Sequence, residues 1–406
     1  MSSDPSRPGR GSPVGGPVGG GPVADGPHPE VDRLAATIPL VDHHTHGIVR
    51  GTVSPSDYAF MLDESNRRAS AEVAGLDTQV GFAVRRWVGP LLDLEPGAPV
   101  ERFLERRLGL TNEAAAAILL PAARLERLIV ETGFRGDELL SPMELGALAH
   151  APSSTVVRLE ALAERVAIQG PPAAGFADSV RGAIAAELAA GAVGLKSIVA
   201  YRHGLDVDPT RPSEAEVTAQ AGMWLRDVDA SRRARIDDPV LLRFLLWTAV
   251  DTGWPLQIHT GYGDPDLDLR RADPLLLTDF LRATEGRGPV LLLHTYPFHR
   301  QAGYLAQMFP HVYLDVGLAL NYAGAQATAI VAESLELAPF GKVLYSSDAW
   351  GLPDLHLLGS ILFRRAVSRV IGGWVASGDW SLADAERVIR LVGTENARRV
   401  YGTPAA

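Results

Sequence analysis

Eight short apolar segments, each of strand length, alternate with helical stretches along most of this chain, and this alternation narrows the fold most. The segments are Ile38–Asp42, Arg127–Gly133, Thr155–Glu160, Ala192–Ala200, Pro255–His259, Pro289–His294, Val312–Val316 and Lys342–Ser346. Helical stretches such as Phe176–Ala190, Pro239–Thr252, Pro274–Ala283 and Ala302–Phe309 separate them. Strict alternation of β and α demands a parallel sheet, because parallel neighbours need a crossover long enough to hold a helix. Eight such units predict an α/β fold closed as a (β/α)8 TIM barrel. An open doubly wound sheet is the alternative, and no Gly-x-Gly-x-x-Gly follows a strand to support it.

Two regions break the pattern. Residues 54–125 contain helical stretches without a convincing strand, so an α-helical insertion is expected after the first strand. Thr111-Asn112-Glu113 reads as a helix start ahead of an alanine run. Residues 1–29 hold seven Pro and eight Gly, and a disordered tail is expected there, with the barrel over 30–406. The chain has no Cys, which removes disulfides, a thiolate nucleophile and Cys-ligated zinc. A net charge of -10 argues against a nucleic-acid or anionic-membrane partner. No long apolar run and no secretory leader is visible, so a cytoplasmic location is expected. Acidic barrels of this size often associate, so a homo-oligomer is among the expected states.

The polar residues at the strand ends carry the chemistry. His44 and His46 end the first strand, Lys196 lies on the fourth, His259 and His294 end the fifth and sixth, and Asp348 follows the eighth. Barrel active sites are built at the carboxyl ends of the strands. His44 and His46 are two apart, so on a strand both point the same way and can grip one ion, while His43 should face the other side. Imidazole nitrogens with a carboxylate suit zinc first, and manganese or iron after it. A lone His-x-His is common without any metal, and Asp348 after two serines would also cap a helix. Four strand-end histidines and a strand-8 Asp, in order, favour a divalent metal site. Asp348 then has two roles, as ligand and as the group that takes a proton from water.

These motifs resemble the amidohydrolase superfamily of metal-dependent barrels, from Val31 onward. The resemblance rests on Val41-Asp42-His43-His44-Thr45-His46, Gly194-Leu195-Lys196, Leu256-Gln257-Ile258-His259-Thr260-Gly261, Leu293-His294, Ser347-Asp348 and the last helix at Glu395–Gly402. A narrower likeness is carried by Gly194–Arg202, His259–Asp264, Tyr296-Pro297 and Ala302–Ala306. Those segments are similar to the amidohydrolase-2 branch, and within it to the amidohydrolase domain of nodulin/glutamine-synthetase-like proteins. The resemblance implies hydrolysis of an amide or related C–N bond of a small carboxylate-bearing substrate, such as a γ-glutamyl amide. It implies Asp348 and His294 as catalytic groups, and His44, His46, Lys196, His259, His294 and Asp348 as ligands to one or two ions. In two-metal relatives a strand-4 lysine becomes a carbamate that bridges both ions. Lys196 is one of only two lysines here, which favours a role for its amine. The same branch includes non-oxidative decarboxylases and lactone hydrolases, and a non-catalytic barrel is the remaining alternative.

Substrate-binding candidates follow from position. Arg202 is placed to clamp a carboxylate, with Tyr201 beside it. Glu160 sits at the end of the third segment, where an inward charge must pair or face the site. Asp264 lies in a Gly/Asp/Pro turn after His259, and Trp350 is placed to wall the pocket.

Overall fold

The computed structural model describes residues 25–68, 75–136, 138–231 and 233–402. Seven parallel strands run in chain order: β1 (Leu40–Thr45), β2 (Leu125–Glu131), β3 (Ser153–Arg158), β4 (Gly194–Ser197), β5 (Leu256–Thr260), β6 (Val290–His294) and β7 (Val312–Leu314). Among the described residues each strand pairs with its chain neighbours, and helices fill the crossovers.

The sheet curls until its ends meet through an eighth segment. Val343 bridges Leu314 of β7 in the parallel sense, and Leu344 N donates to Leu314 O at 3.0 Å. On the other side His43 N of β1 donates to Tyr345 O at 3.2 Å. The architecture is TIM-like, with a short eighth segment in place of a full strand. Lys342, expected to open that strand, ends a 3-10 turn instead and gives its ammonium to the carbonyls of Ala306 and Phe309.

Strands β5 and β6 are buried along their whole length, as continuous apolar runs between two layers should be. Val41, Ile129, Val156, Leu291, Leu293 and Leu344 fill the barrel, with Ala397 and Tyr401 of the last helix, Asn396–Tyr401, packed among them. A larger apolar core lies between sheet and helices.

Helices Pro55–Met61, Gln79–Trp87, Val100–Leu108 and Asn112–Ala123 occupy the span between β1 and β2. Thr111 caps the last of them, accepting from Ala114 N at 3.2 Å. Buried Arg107 ties this region to Asp354 at 2.8 Å, in the first turn of helix Pro353–Ser377. Of the expected N-terminal tail, residues 1–24 lie outside the described residues. Residues 25–29 depart from that expectation. Asp25 pairs with Arg365 and Arg369, each at 2.8 Å, Gly26 N donates to Asp32 and Ser368, and Pro29 begins a helix. None of the described helices is long and apolar enough to cross a membrane.

Candidate active site

The site is built where the first and eighth segments meet. Asp348 N donates to His44 O at 3.1 Å, and His46 N donates to Ala349 O at 2.8 Å. Below them Asp42 accepts from Ser347 N at 2.9 Å and Ser347 Oγ at 2.5 Å, which braces the loop that carries Asp348. Asp348 is held at a φ of 48°, and His294 and Thr295 at 69° and 52°. Side chains with a Cβ visit this region rarely, and such residues collect at functional sites. The turn after β6 is held by Asp315, whose Oδ1 accepts from His294 N at 3.0 Å and whose carbonyl accepts from Thr295 Oγ1 at 2.8 Å.

Three histidines converge on the Asp348 carboxylate. His44 Nε2 lies 3.2 Å and His46 Nε2 3.4 Å from Oδ1, and His294 Nδ1 lies 3.4 Å from Oδ2. Nevertheless Asp348 Oδ1 and His294 Nδ1 are buried without a hydrogen-bond partner. Buried polar atoms this close, yet not aimed at one another, suit a shared centre between them. Ligand atoms of His44, His46 and Asp348 all fall within 4.8 Å of one another, the spread one ion needs.

The outer partners agree. His44 Nδ1 meets Gln257 Oε1 at 2.8 Å, and His46 Nδ1 meets the Glu131 carbonyl at 3.2 Å. Each contact calls for a proton on Nδ1 and leaves the Nε2 lone pair for a metal. Burial, then Lys196, pushes His44 down to about 3, and burial pushes His294 down to about 4, so both rings are neutral. Burial raises the Asp348 carboxyl, but His294, His44 and His46 outweigh it and hold it well below its ordinary value.

Lys196 and His259 stand at the edge of this cluster. Lys196 Nζ is 3.4 Å from His44 Nε2, and burial lowers its ammonium to about 8. His259 Nε2 meets Tyr262 O at 3.1 Å, and its ring lies 4.5 Å from that of His294. Among the described residues one group gathers as a candidate metal centre, and neither His259 nor His294 is part of it.

His43 corrects the expectation of strict alternation. It lies inside with His44: its Nδ1 is 3.1 Å from Tyr401 Oη, and the Gln257 amide that holds His44 also reaches Tyr401. The β1–β2 register slips between Asp42 and Thr45, and such an irregularity breaks the two-residue period.

A cavity of about 260 Å³ opens above the cluster. Tyr201, Arg202, Asp264 and Trp350 line it, as the sequence suggests. Tyr201 is pinned by Asp264 N at 3.2 Å, and a Cβ at residue 263 would collide with its hydroxyl, so Gly263 is required there. Trp350 packs edge-on against Phe134 and Phe60.

Two substrate candidates change role. Glu160 is not on a strand and does not line the cavity. It opens helix Leu159–Ile168, fully buried, and accepts from Ser197 Oγ at 2.6 Å and Ile198 N at 3.0 Å. It therefore braces the turn after β4. Arg202 reaches the cavity but is held by Glu164 at 2.8 Å and Ile236 O at 3.3 Å, so it is not a free carboxylate clamp.

Sequence reasoning missed Glu64, Phe134, Arg235 and Asp266 in the lining, and Arg158, an inward charge near the end of the third segment that must pair or face the site, does both. Burial raises the Glu64 carboxyl well above its ordinary value, with Asp348 and Asp264 adding to the effect. Arg158 is paired with Glu131 at 2.5 Å. Arg235 carries no ion pair among the described residues. Arg158 ends β3, whereas the other four come from loops and the helical insertion, where no periodicity marks an inward face.

The profile of the amidohydrolase family (Amidohydro_2) matches residues 160–403. The chain belongs to the amidohydrolase family. Protein fluG of Emericella nidulans is 32% identical over 219 residues, which are 52% of this chain and 25% of that protein. The matched region thus spans about a quarter of that curated relative. The crystal structure of a Lactobacillus casei protein described as a metal-dependent hydrolase superposes with a TM-score of 0.78 at 26% identity, covering 91% of this chain and 96% of that one. The uronate isomerase of Thermotoga maritima shares the fold alone, with a TM-score of 0.59 at 14% identity over 95% of this chain and 99% of that one. The family membership expected from the sequence is therefore shown.

Proposed function

We propose that this amidohydrolase cleaves an amide C–N bond of a small carboxylate-bearing substrate, with zinc as the ion held by His44, His46 and Asp348. The observation that carries the proposal is the Asp348 carboxylate, whose Oδ1 has no hydrogen-bond partner and stands among three imidazoles beneath an open cavity. A divalent ion at this position supplies Lewis acidity, polarising a carbonyl oxygen and acidifying water.

The chain's own residues supply the rest. Asp348 is ionised and takes the proton of the attacking water as oxygen adds to the carbonyl carbon. It returns that proton to the amine nitrogen as the C–N bond breaks, so acid and amine leave with one water consumed. The neutral His294 ring, held by Asp315 through the backbone, lies on the opposite side of Asp348 and orients the carbonyl. Arg235, rather than Arg202, is the clamp for the substrate carboxylate, because its guanidinium carries no ion pair among the described residues. Glu64, Asp264 and Asp266 line the same mouth and suit an ammonium group, so an α-amino acid head such as a γ-glutamyl group matches the lining in both charges.

Asp348→Asn is expected to keep the fold and most of the metal while lowering kcat by about 10²–10⁴ on a γ-glutamyl amide. Arg235→Gln is expected to raise KM for that substrate and leave kcat nearly unchanged. An Asn variant with near-normal turnover removes Asp348 as the base. Carbon dioxide release from a carboxylate panel, with no amide turned over, replaces hydrolysis by decarboxylation.

A further inference from the structure

Beneath the metal position a chain of hydrogen bonds runs from Asp315, just after β7, through the last helix to His44, and its protons can be assigned from one end. Asp315 Oδ2 faces His43 Nε2 at 2.9 Å, and a carboxylate only accepts, so Nε2 carries a proton. Tyr401 Oη lies 3.1 Å from His43 Nδ1 and 2.8 Å from Gln257 Nε2. The amide nitrogen only donates, so the Tyr401 oxygen accepts from Gln257 and its own proton goes to His43 Nδ1. The other amide hydrogen goes to His43 O at 2.9 Å. With Nε2 fixed by these two acceptors, Gln257 Oε1 faces His44 Nδ1 at 2.8 Å and accepts from it. Every other assignment leaves a buried donor without an acceptor.

We infer that Tyr401, on the last helix, is a positioning residue of the metal site: its hydroxyl fixes the Gln257 amide, and that amide fixes the His44 proton on Nδ1, leaving Nε2 for the ion. His43, His44, Gln257, Asp315 and Tyr401 are all buried, so no solvent water stands ready to replace a lost member. The same Asp315 also holds the His294 backbone, so one carboxylate organises both sides of Asp348. Closure of the last helix against the barrel interior therefore completes the site as well as the core. The inference rests on the metal reading above and is independent of which bond is cleaved.

The test uses the full-length protein. Imidazole ¹⁵N shifts of His44 are measured in the metal-free state at fixed neutral pH, and zinc affinity is measured by competition with a chelator. The wild type is expected to show the Nδ1–H form. Gln257→Leu is expected to mix the two tautomers and weaken zinc about 10–100-fold, the usual scale for losing a group that orients a ligand. Tyr401→Phe keeps the ring in the core and is expected to weaken zinc about tenfold, since His43 O still holds one amide hydrogen. Tyr345→Phe removes a buried hydroxyl that has no partner and is the control, with affinity unchanged. Zinc bound by a wild type that carries the His44 proton on Nε2 overturns the inference, as does a folded Tyr401→Phe with wild-type affinity. Expected shifts and affinities with no amide turned over overturn the hydrolase reading alone.

Discussion

Removing the Arg107 guanidinium should destabilise the protein far more than removing it together with its partner. Arg107 and Asp354 are both fully buried, 2.8 Å apart at Nη2 and Oδ2, with Nε donating to Oδ1 at 3.0 Å and Oδ2 at 2.9 Å. Tyr58 Oη also donates to Oδ1 at 2.9 Å, and Arg107 Nη2 donates to Asn112 Oδ1 at 2.7 Å. Arg107→Met strands a carboxylate that keeps only the tyrosine, at a cost of about 3–5 kcal/mol. That corresponds to about 10²–10⁴ in the unfolding equilibrium. Arg107 Nη1 is already buried without a partner, so the native pair is not fully compensated. Arg107→Met combined with Asp354→Leu therefore returns most of the loss, leaving roughly 1–2 kcal/mol for the stranded Tyr58 and Asn112 groups. Denaturant unfolding of the two single variants and the double variant measures the coupling, expected at about 3 kcal/mol or more. Because the pair joins the helical insertion to the helix that follows Asp348, Arg107→Met should also raise KM, through Glu64 in the cavity wall and through Phe60, which packs behind Trp350. A single variant that costs under about 1 kcal/mol, or a double variant worse than the sum, refutes the reasoning.

Four further outcomes follow from placement. Truncation before Asp25 should leave the melting temperature unchanged, whereas truncation through Pro29 should lower it by losing the Asp25 pairs with Arg365 and Arg369, read by thermal unfolding. His44→Ala and His46→Ala should each lower metal occupancy measured on purified protein, and full occupancy in both would remove them as ligands. Wild-type protein should carry one ion per chain; two, with one lost in Lys196→Arg, would establish the bridged pair in place of the single centre. Glu160→Ala should lower stability by losing its bonds to Ser197 and Ile198 while KM stays within about twofold, and a large KM change would return Glu160 to the substrate site.

What the sequence made legible is what short-range rules determine. Alternating segments identify the barrel, and strand-end position identifies His44, His46, His294 and Asp348, because a strand end leads straight to the mouth. His43 escaped because a register slip is a property of two strands together, and β1 alone shows only its period. Glu160 was misplaced because the third segment turns helical at Leu159, and a helix start changes which way the next side chain points. Arg202 was placed correctly in the cavity, but its partner Glu164 lies on a neighbouring helix, so its ion pair is a tertiary fact. Glu64 and Arg235 reach the site from loops, for which composition carries no direction.

The division of the site along the chain has a mechanical consequence. The family profile begins at Glu160, so Asp348, His259 and His294 lie within the matched region while His44 and His46 lie before it. The two parts are joined by main-chain bonds from Asp348 N to His44 O and from His46 N to Ala349 O, and by the Asp42 side chain on Ser347. These are the contacts that close the barrel, so a metal-ready carboxylate and a closed sheet form together. The Gln257–Tyr401 chain repeats this coupling from below, joining the His44 ring to the last helix. A fragment that retained the matched segment but lacked β1 would keep Asp348 and lose both the imidazoles beside it and the backbone that holds its φ of 48°. Metal affinity would therefore measure barrel closure, as well as the three side chains proposed as its ligands.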